Sequence, residues 1–261
     1  MGLFRFGKKK QEQEEFSTNT LVQSMGDKLG YPYQVLSQDF TYDQVMKEYE
    51  KAVERGQREG FVPVLLPEDE YLDEFFEILR EDGYTVEEAC KQIGGNGEEI
   101  LIKRWKEIVE PEEEETEAVE LTPEFIGELI GGDMLEECFS LYDGNRKEMK
   151  RVLLLEVPTK NPWEIPVYVP FGGWNDCPLP EEMATVCRYW YEKYGAVPAV
   201  ITHDELYLFV PNPVPEGEAM ELAKQHYAFC CDRVDQCTGS GTLGEVADSL
   251  RKSRIWYFWW D

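Results

Sequence analysis

The stretch Val197-Pro198-Ala199-Val200-Ile201-Thr202-His203-Asp204-Glu205-Leu206-Tyr207-Leu208-Phe209-Val210 decides the fold. Two apolar runs, 197–202 and 206–210, are separated by three polar residues, which is the pattern of a β-hairpin. Ahead of it, Met183, Val186, Cys187, Trp190 and Tyr194 recur at helical spacing. Behind it, a long helix is expected after Pro215, then a short one capped by Thr242 with Glu245. Residues 152–157 and 163–169 read as two more strands joined by a Pro-Thr-Lys-Asn-Pro turn. Residues 255–260 read as a final strand. Alternation sends Trp256, Phe258 and Trp260 to one face, and Tyr257 and Trp259 to the other. A core strand is expected there rather than an aromatic platform for bases or sugars. These elements together predict an α+β fold, a mostly antiparallel sheet with helices packed on it.

Working back from this aromatic part, the sequence becomes acidic and mainly helical. Thr41 with Gln44 has capping-box spacing, and Tyr42, Val45, Met46, Tyr49 and Val53 follow on one helical face. Phe61–Leu66 is the one short strand expected in this region, with Pro63 pointing to an edge position. Leu72, Phe75, Phe76 and Leu79 mark a second helix, Thr85 with Glu88 caps a third, and Leu101, Trp105 and Ile108 mark a fourth. Thr122-Pro123 opens another. The resulting division is a flexible basic-aromatic tail (1–20), an acidic helical part with one short strand (21–109), an acidic linker (110–121) and an aromatic-rich α+β domain (122–261). Met1-Gly2 has a myristoylation-like start, but Phe6 stands where that motif needs Ser or Thr.

Charge restricts the partners. The 261 residues carry 26 Lys+Arg against 53 Asp+Glu, a net charge of −27. A protein holds phosphates by replacing counterions with Lys and Arg, so no nucleic-acid partner is expected, and a basic protein is the complementary one. Residues 151–261 account for −7 of the charge and six of the seven tryptophans. The run Glu112-Glu113-Glu114-Glu115-Thr116-Glu117 reads as solvated linker, or as part of a surface for that basic partner. No apolar run approaches the ~20 residues of a membrane helix, so no integral membrane association is expected. The odd number of cysteines, seven, and the lack of an export signal point to free thiols and a cytoplasmic location.

Three groups of residues have chemistry in them. The loop Gly172, Gly173, Trp174, Asn175 and Asp176, with Asp204, is the candidate binding loop. It is neither a P-loop nor a dinucleotide fingerprint, so no cofactor is expected. His203 and Asp204, with Asp176, are the polar groups that an enzyme cleft beside this loop would use, although ordinary turn residues are the expectation for the first two. His226 and Cys230, at i and i+4, with Cys237, have the donor atoms of a zinc site. They also lie on the apolar stripe Ala219, Leu222, Ala223, His226, Cys230, and buried helix side chains are the expectation, with no metal.

The motif Phe171-Gly172-Gly173-Trp174-Asn175-Asp176-Cys177-Pro178 is joined by Trp190-Tyr191-Glu192-Lys193-Tyr194-Gly195, Thr202-His203-Asp204, residues 223–232 with Gln236, and Trp256-Tyr257-Phe258-Trp259-Trp260-Asp261. Together they resemble the bacterial family called domain of unknown function 4253, over roughly residues 150–261. The resemblance implies that Gly172 to Asp176, Asp204, Gln225, Asp232 and Asp261 belong to the family's signature. Where the family tends to have Cys-Pro-Asp, this chain has Cys230-Cys231-Asp232. The family brings no activity and no catalytic residue. The expected function is therefore a non-catalytic binding module, immunity- or inhibitor-like, that masks a basic protein. The alternative is an enzyme or small-ligand protein using a cleft beside the Gly172–Asp176 loop.

Overall fold

The computed structural model describes residues 20–111 and 118–261. Residues 1–19 of the basic-aromatic tail and the acidic run 112–117 lie outside the described residues. The elements in chain order are α1 (Leu21–Leu29), β1 (Tyr33–Leu36), α2 (Tyr42–Glu59), β2 (Val62–Pro67), α3 (Glu70–Glu81), α4 (Val86–Gln92), α5 (Gly97–Val109) and the single turn α6 (Pro123–Ile126). They continue with β3 (Val152–Val157), the short α7 (Ile165–Tyr168), α8 (Pro180–Tyr194), β4 (Val197–Ile201) and β5 (Glu205–Phe209). The last are α9 (Glu216–Phe229), the single turn α10 (Asp232–Asp235), α11 (Leu243–Leu250) and β6 (Ile255–Trp259). No helix among the described residues is long and apolar enough to cross a membrane.

Six strands form one sheet in the order β1-β3-β2-β4-β5-β6. Every pairing is antiparallel except β2 with β4. The α+β expectation is therefore met, and the acidic front part and the aromatic part share the same sheet. Local chemistry explains the helix ends. Thr41 accepts the Gln44 N–H while the Gln44 side chain accepts the Thr41 N–H, closing the expected box at α2. Gly60, at φ +87°, ends that helix in the left-handed conformation that a side chain would resist.

Three expectations are corrected. Residues 163–169 are not a strand but a 3-10 turn, Pro162–Glu164, running into α7. The Glu164 carboxylate accepts from Thr159 and from Asn161 Nδ2, and this closes a helical turn that strand-like alternation does not reveal. The front part holds two strands, since the four residues of β1 pair with β3. Four residues are too short a run for period-two alternation to register. Pro63 is interior rather than at an edge, because β2 lies between β3 and β4. The parallel pairing to β4 is confined to Leu65 opposite Val200. Extending that register by two residues sets Pro63 against Pro198, and two residues without N–H donors cannot continue a ladder.

The sheet has a core on each face. On the first, Val64, Leu66, Leu153, Leu155, Leu206, Leu208, Trp256 and Phe258 meet α1, α3, α5, α8, α9 and α11. On the second, Leu65, Val152, Leu154, Tyr207 and Ile255 are covered by Val45, Tyr49 and Ala52 of α2 and by Cys138, Leu141 and Met149. The segment 118–139 crosses α11 as a strap. Gly132 N–H donates to Asp248 Oδ2 (2.9 Å), Leu135 N–H to Ser253 Oγ (2.8 Å), and Ser249 Oγ to the Asp133 carbonyl (2.7 Å). A Cβ at Gly244 would stand 2.1 Å from the Glu128 carbonyl oxygen, so this crossing requires glycine.

Candidate ligand cavity

The signature loop is built tightly. Gly172 and Gly173 have φ of +91° and +76°, and Gly173 N–H donates to the Pro178 carbonyl at 3.1 Å. Asn175 follows at φ +47°, a conformation asparagine tolerates better than most residues. Its Nδ2 donates to the Asp261 carbonyl oxygen (2.6 Å), while Asp261 N–H donates to Asp232 Oδ2 (3.0 Å). From the β4–β5 turn, Asp204 Oδ2 accepts the Trp259 indole N–H (2.9 Å) and Asp204 Oδ1 accepts the Thr202 hydroxyl (2.8 Å). The Asp204 carbonyl accepts the Trp260 N–H at 3.1 Å. Asn175, Asp204, Asp232 and Asp261, four of the positions that the resemblance singles out, thus meet around the end of β6 as a clasp. Gln225, a fifth, accepts the Trp190 indole N–H at 3.1 Å inside the core.

The proposed polar set beside the loop is not assembled in one place. Trp174 packs half-buried against the main core. Asp176 lines a shallow groove of about 620 Å³ with Lys103, Arg104, Glu107 and Glu182. His203 is instead tied to Asp69, the N-cap of α3: Asp69 Oδ2 takes the His203 backbone N–H at 2.8 Å and faces Nδ1 at 2.9 Å. Burial pulls the His203 pKa down, but the Asp69 hydrogen bond and the charges of Asp204 and Glu205 outweigh it and raise it above its usual value. Burial likewise pushes Asp69 up, and the bonds from His203 and Leu72 more than reverse this, leaving it lowered. The pair fastens the hairpin turn to α3.

His226, Cys230 and Cys237 are not brought together. His226 is fully buried among Trp190, Trp256 and Phe258, with ring centroids 4.6–5.2 Å away, and neither ring nitrogen has a hydrogen-bond partner. Burial and the nearby Arg233 charge hold its pKa well below the usual range, so it is neutral. Cys230 Sγ donates to the Trp259 carbonyl at 2.9 Å. Cys237 faces elsewhere, into a polar recess on the second face, and burial pushes its thiol up to about 11. No group of three metal-binding side chains occurs among the described residues.

That recess has a volume of about 500 Å³, within the range of small-molecule sites. Strand register builds its floor. Glu205 pairs with Trp259 and Tyr207 with Tyr257, so Glu205, Tyr257 and Trp259 share the face opposite Trp256 and Phe258. The strap supplies Asp133, Leu135 and Phe139, and the 232–238 turn supplies Arg233. Tyr257 Oη donates to Glu205 Oε1 at 2.8 Å. Burial raises the Glu205 carboxyl above its usual value despite this bond, and burial with the Glu205 charge raises the Tyr257 phenol. Arg146, at φ +54°, sets its guanidinium 3.9 Å from the Phe139 ring centre at the rim.

Arg233 is the unusual member. It is 5% exposed, its Nε has no acceptor, and no carboxylate lies within ion-pair distance among the described residues. Its Nη1 reaches only the Cys237 carbonyl, at 3.5 Å. Neither Arg233 nor the Glu205–Tyr257 pair stands out from sequence. The available signals were the alternation placing Tyr257 with Trp259, and the hairpin placing Glu205 beside them.

No curated protein and no solved structure matches the chain significantly. Residues 153–261 match the family model described as Domain of unknown function (DUF4253). That span contains β3 to β6 and the clasp, whereas β1, β2 and the strap precede it. The C-terminal part of this chain, residues 153–261, is a DUF4253 domain.

Proposed function

We propose that the protein is a non-catalytic binding module that covers a basic protein partner, in the manner of an inhibitor or immunity protein. The observation that carries this reading is the strap. Between Lys106 and Arg146 the sequence has no Lys, Arg or His. In the described part of that stretch, Leu121, Ile130, Met134 and Phe139 are exposed beside exposed Glu120, Glu124, Glu128, Asp133 and Glu136. None of these five carboxylates has an ion-pair partner among the described residues. Apolar anchors within unpaired charge of one sign suit a partner that is basic and partly apolar: the charge steers the encounter and the anchors hold it.

The side chains most apt for covalent or acid–base chemistry lend the reading further support. Burial raises the Cys177 and Cys187 thiols, His226 is sealed in the core, and His203 is engaged by Asp69. All seven cysteines are unpaired, which favours a reducing, cytoplasmic setting as part of the same proposal.

The test uses the full chain and a variant with Glu120, Glu124, Glu128 and Glu136 changed to Gln, both as bait in host lysate at low and high salt. The reading expects a stoichiometric basic protein on the wild type at low salt, its release at high salt, and its absence from the variant. A partner held equally by both baits at both salts contradicts it, as does the absence of any partner.

A further inference from the structure

We infer that the recess around Arg233 is a binding site for a small zwitterion of the α-amino-acid class, its carboxylate on Arg233 and its ammonium toward Glu205. The argument begins with an uncompensated charge. A guanidinium stays protonated under ordinary conditions, and burying it without an acceptor is costly. Arg233 is 95% removed from solvent, yet among the described residues its only acceptor is a backbone carbonyl at 3.5 Å and its Nε has none. The side chain lines a space of about 500 Å³. A planar carboxylate supplies what is missing, because it accepts two parallel N–H bonds from one guanidinium.

The surroundings narrow the ligand further. Glu205, Glu245 and Asp133 line the same recess, with Arg146 at its rim over the Phe139 ring, in a protein of net charge −27. A dianion such as phosphate would meet that field as well as Arg233. A ligand with one carboxylate and one ammonium is neutral overall and meets both signs within the site. Glu205 is oriented by Tyr257 Oη at 2.8 Å, which leaves it placed to accept from a cation. Leu135, Phe139 and Trp259 provide an apolar wall for a side chain. The volume suits a free amino acid or a very short peptide. Arg233 and Glu205, which carry this site, are not among the strap residues that the partner reading uses; Asp133 and Phe139 serve in both, and no partner is needed to observe binding.

The experiment is thermal-shift screening of the full chain with each free L-amino acid at millimolar concentration, followed by calorimetric titration of those that raise Tm. The N-acetyl form and the amide of the same amino acid separate the two charges. A dipeptide of it separates free amino acid from peptide. At least one free amino acid should bind saturably, with the N-acetyl form and the amide each weaker by about 10-fold or more. Arg233→Met should weaken binding by about 10- to 100-fold while leaving the unliganded Tm no lower than wild type. Should Arg233→Met fail to fold, Glu205→Gln serves instead: the free form should lose its advantage over the N-acetyl form. The proposal is overturned if no free amino acid binds, or if the amide binds as well as the acid. Undiminished binding by a folded Arg233→Met protein, or by Glu205→Gln with the same preference, overturns it equally.

Discussion

On the first face of the sheet, Trp190 stacks on Phe258 at 5.5 Å with planes 7° apart, and Trp256, Phe229 and His226 close around them. On the second face, the same strands present Glu205, Tyr257 and Trp259 to an open recess. Each face contains a buried polar side chain without an adequate partner, His226 on one and Arg233 on the other, seven residues apart. Their fates differ because their chemistry differs. Imidazole escapes the cost of burial by losing its proton, and the aromatic box keeps it neutral. Guanidinium has no such exit, so it needs an anion, and it adjoins a space where one fits. Burial alone therefore does not mark a site; burial of a permanent charge beside open volume does.

The sharpest way to break the comparison is at the closed face. Trp190→Ala removes the ring that every neighbour packs on, and should cost about 3–5 kcal/mol in denaturant unfolding. A loss below about 1 kcal/mol would mean that this face is not the stabilising one.

The next largest effect is expected at the strap, which walls the open face. In Gly244→Ala the new methyl would meet the Glu128 carbonyl, and about 2 kcal/mol of stability should be lost as strap and α11 separate. Hydrogen exchange should show the Gly132 and Leu135 amides deprotected first, since both donate across that contact. Protection spreading unchanged through the strap would show that the crossing tolerates bulk.

The smallest effect belongs to the His203–Asp69 fastening, which touches neither face. His203 has a raised pKa, so its contribution is complete below about pH 6.5 and fades as pH rises through the folded value. Asp69 has a lowered pKa, so its contribution is present above about pH 4 and fades as pH falls through the folded value. The pair is strongest between those limits. His203→Gln should flatten the decline of Tm between about pH 6 and pH 8, by under about 1 kcal/mol, because the imidazole is partly solvated. An unchanged pH profile would remove the ion pair from the account.

Much of the first face is legible in sequence. The alternation of residues 255–260, the stripe through Trp190 and the one through His226 each report which side chains point inward, because period and burial are coupled within a single element. The Thr41, Thr85 and Thr242 caps are local and equally readable. The helical turn at 162–168 is not, since it depends on Glu164 gathering Thr159 and Asn161, nor is β1, whose four residues acquire meaning only against β3. The signature loop is conspicuous as sequence because glycine, asparagine and tryptophan are rare together. Its spacing does not reveal that Asn175 reaches Asp261 across 86 positions. Arg233 is the least legible residue of all. What distinguishes it is the absence of a partner, and that is a property of five separate segments meeting around it.

The difference between the two faces is tested most directly by comparing unliganded Tm for Trp190→Ala and Arg233→Met in the same buffer. The account predicts a loss of many degrees for the first and none for the second, since removing an unpaired buried charge relieves a cost. A fall for Arg233→Met as large as that for Trp190→Ala would contradict it, and would place Arg233 among the residues that hold the fold together.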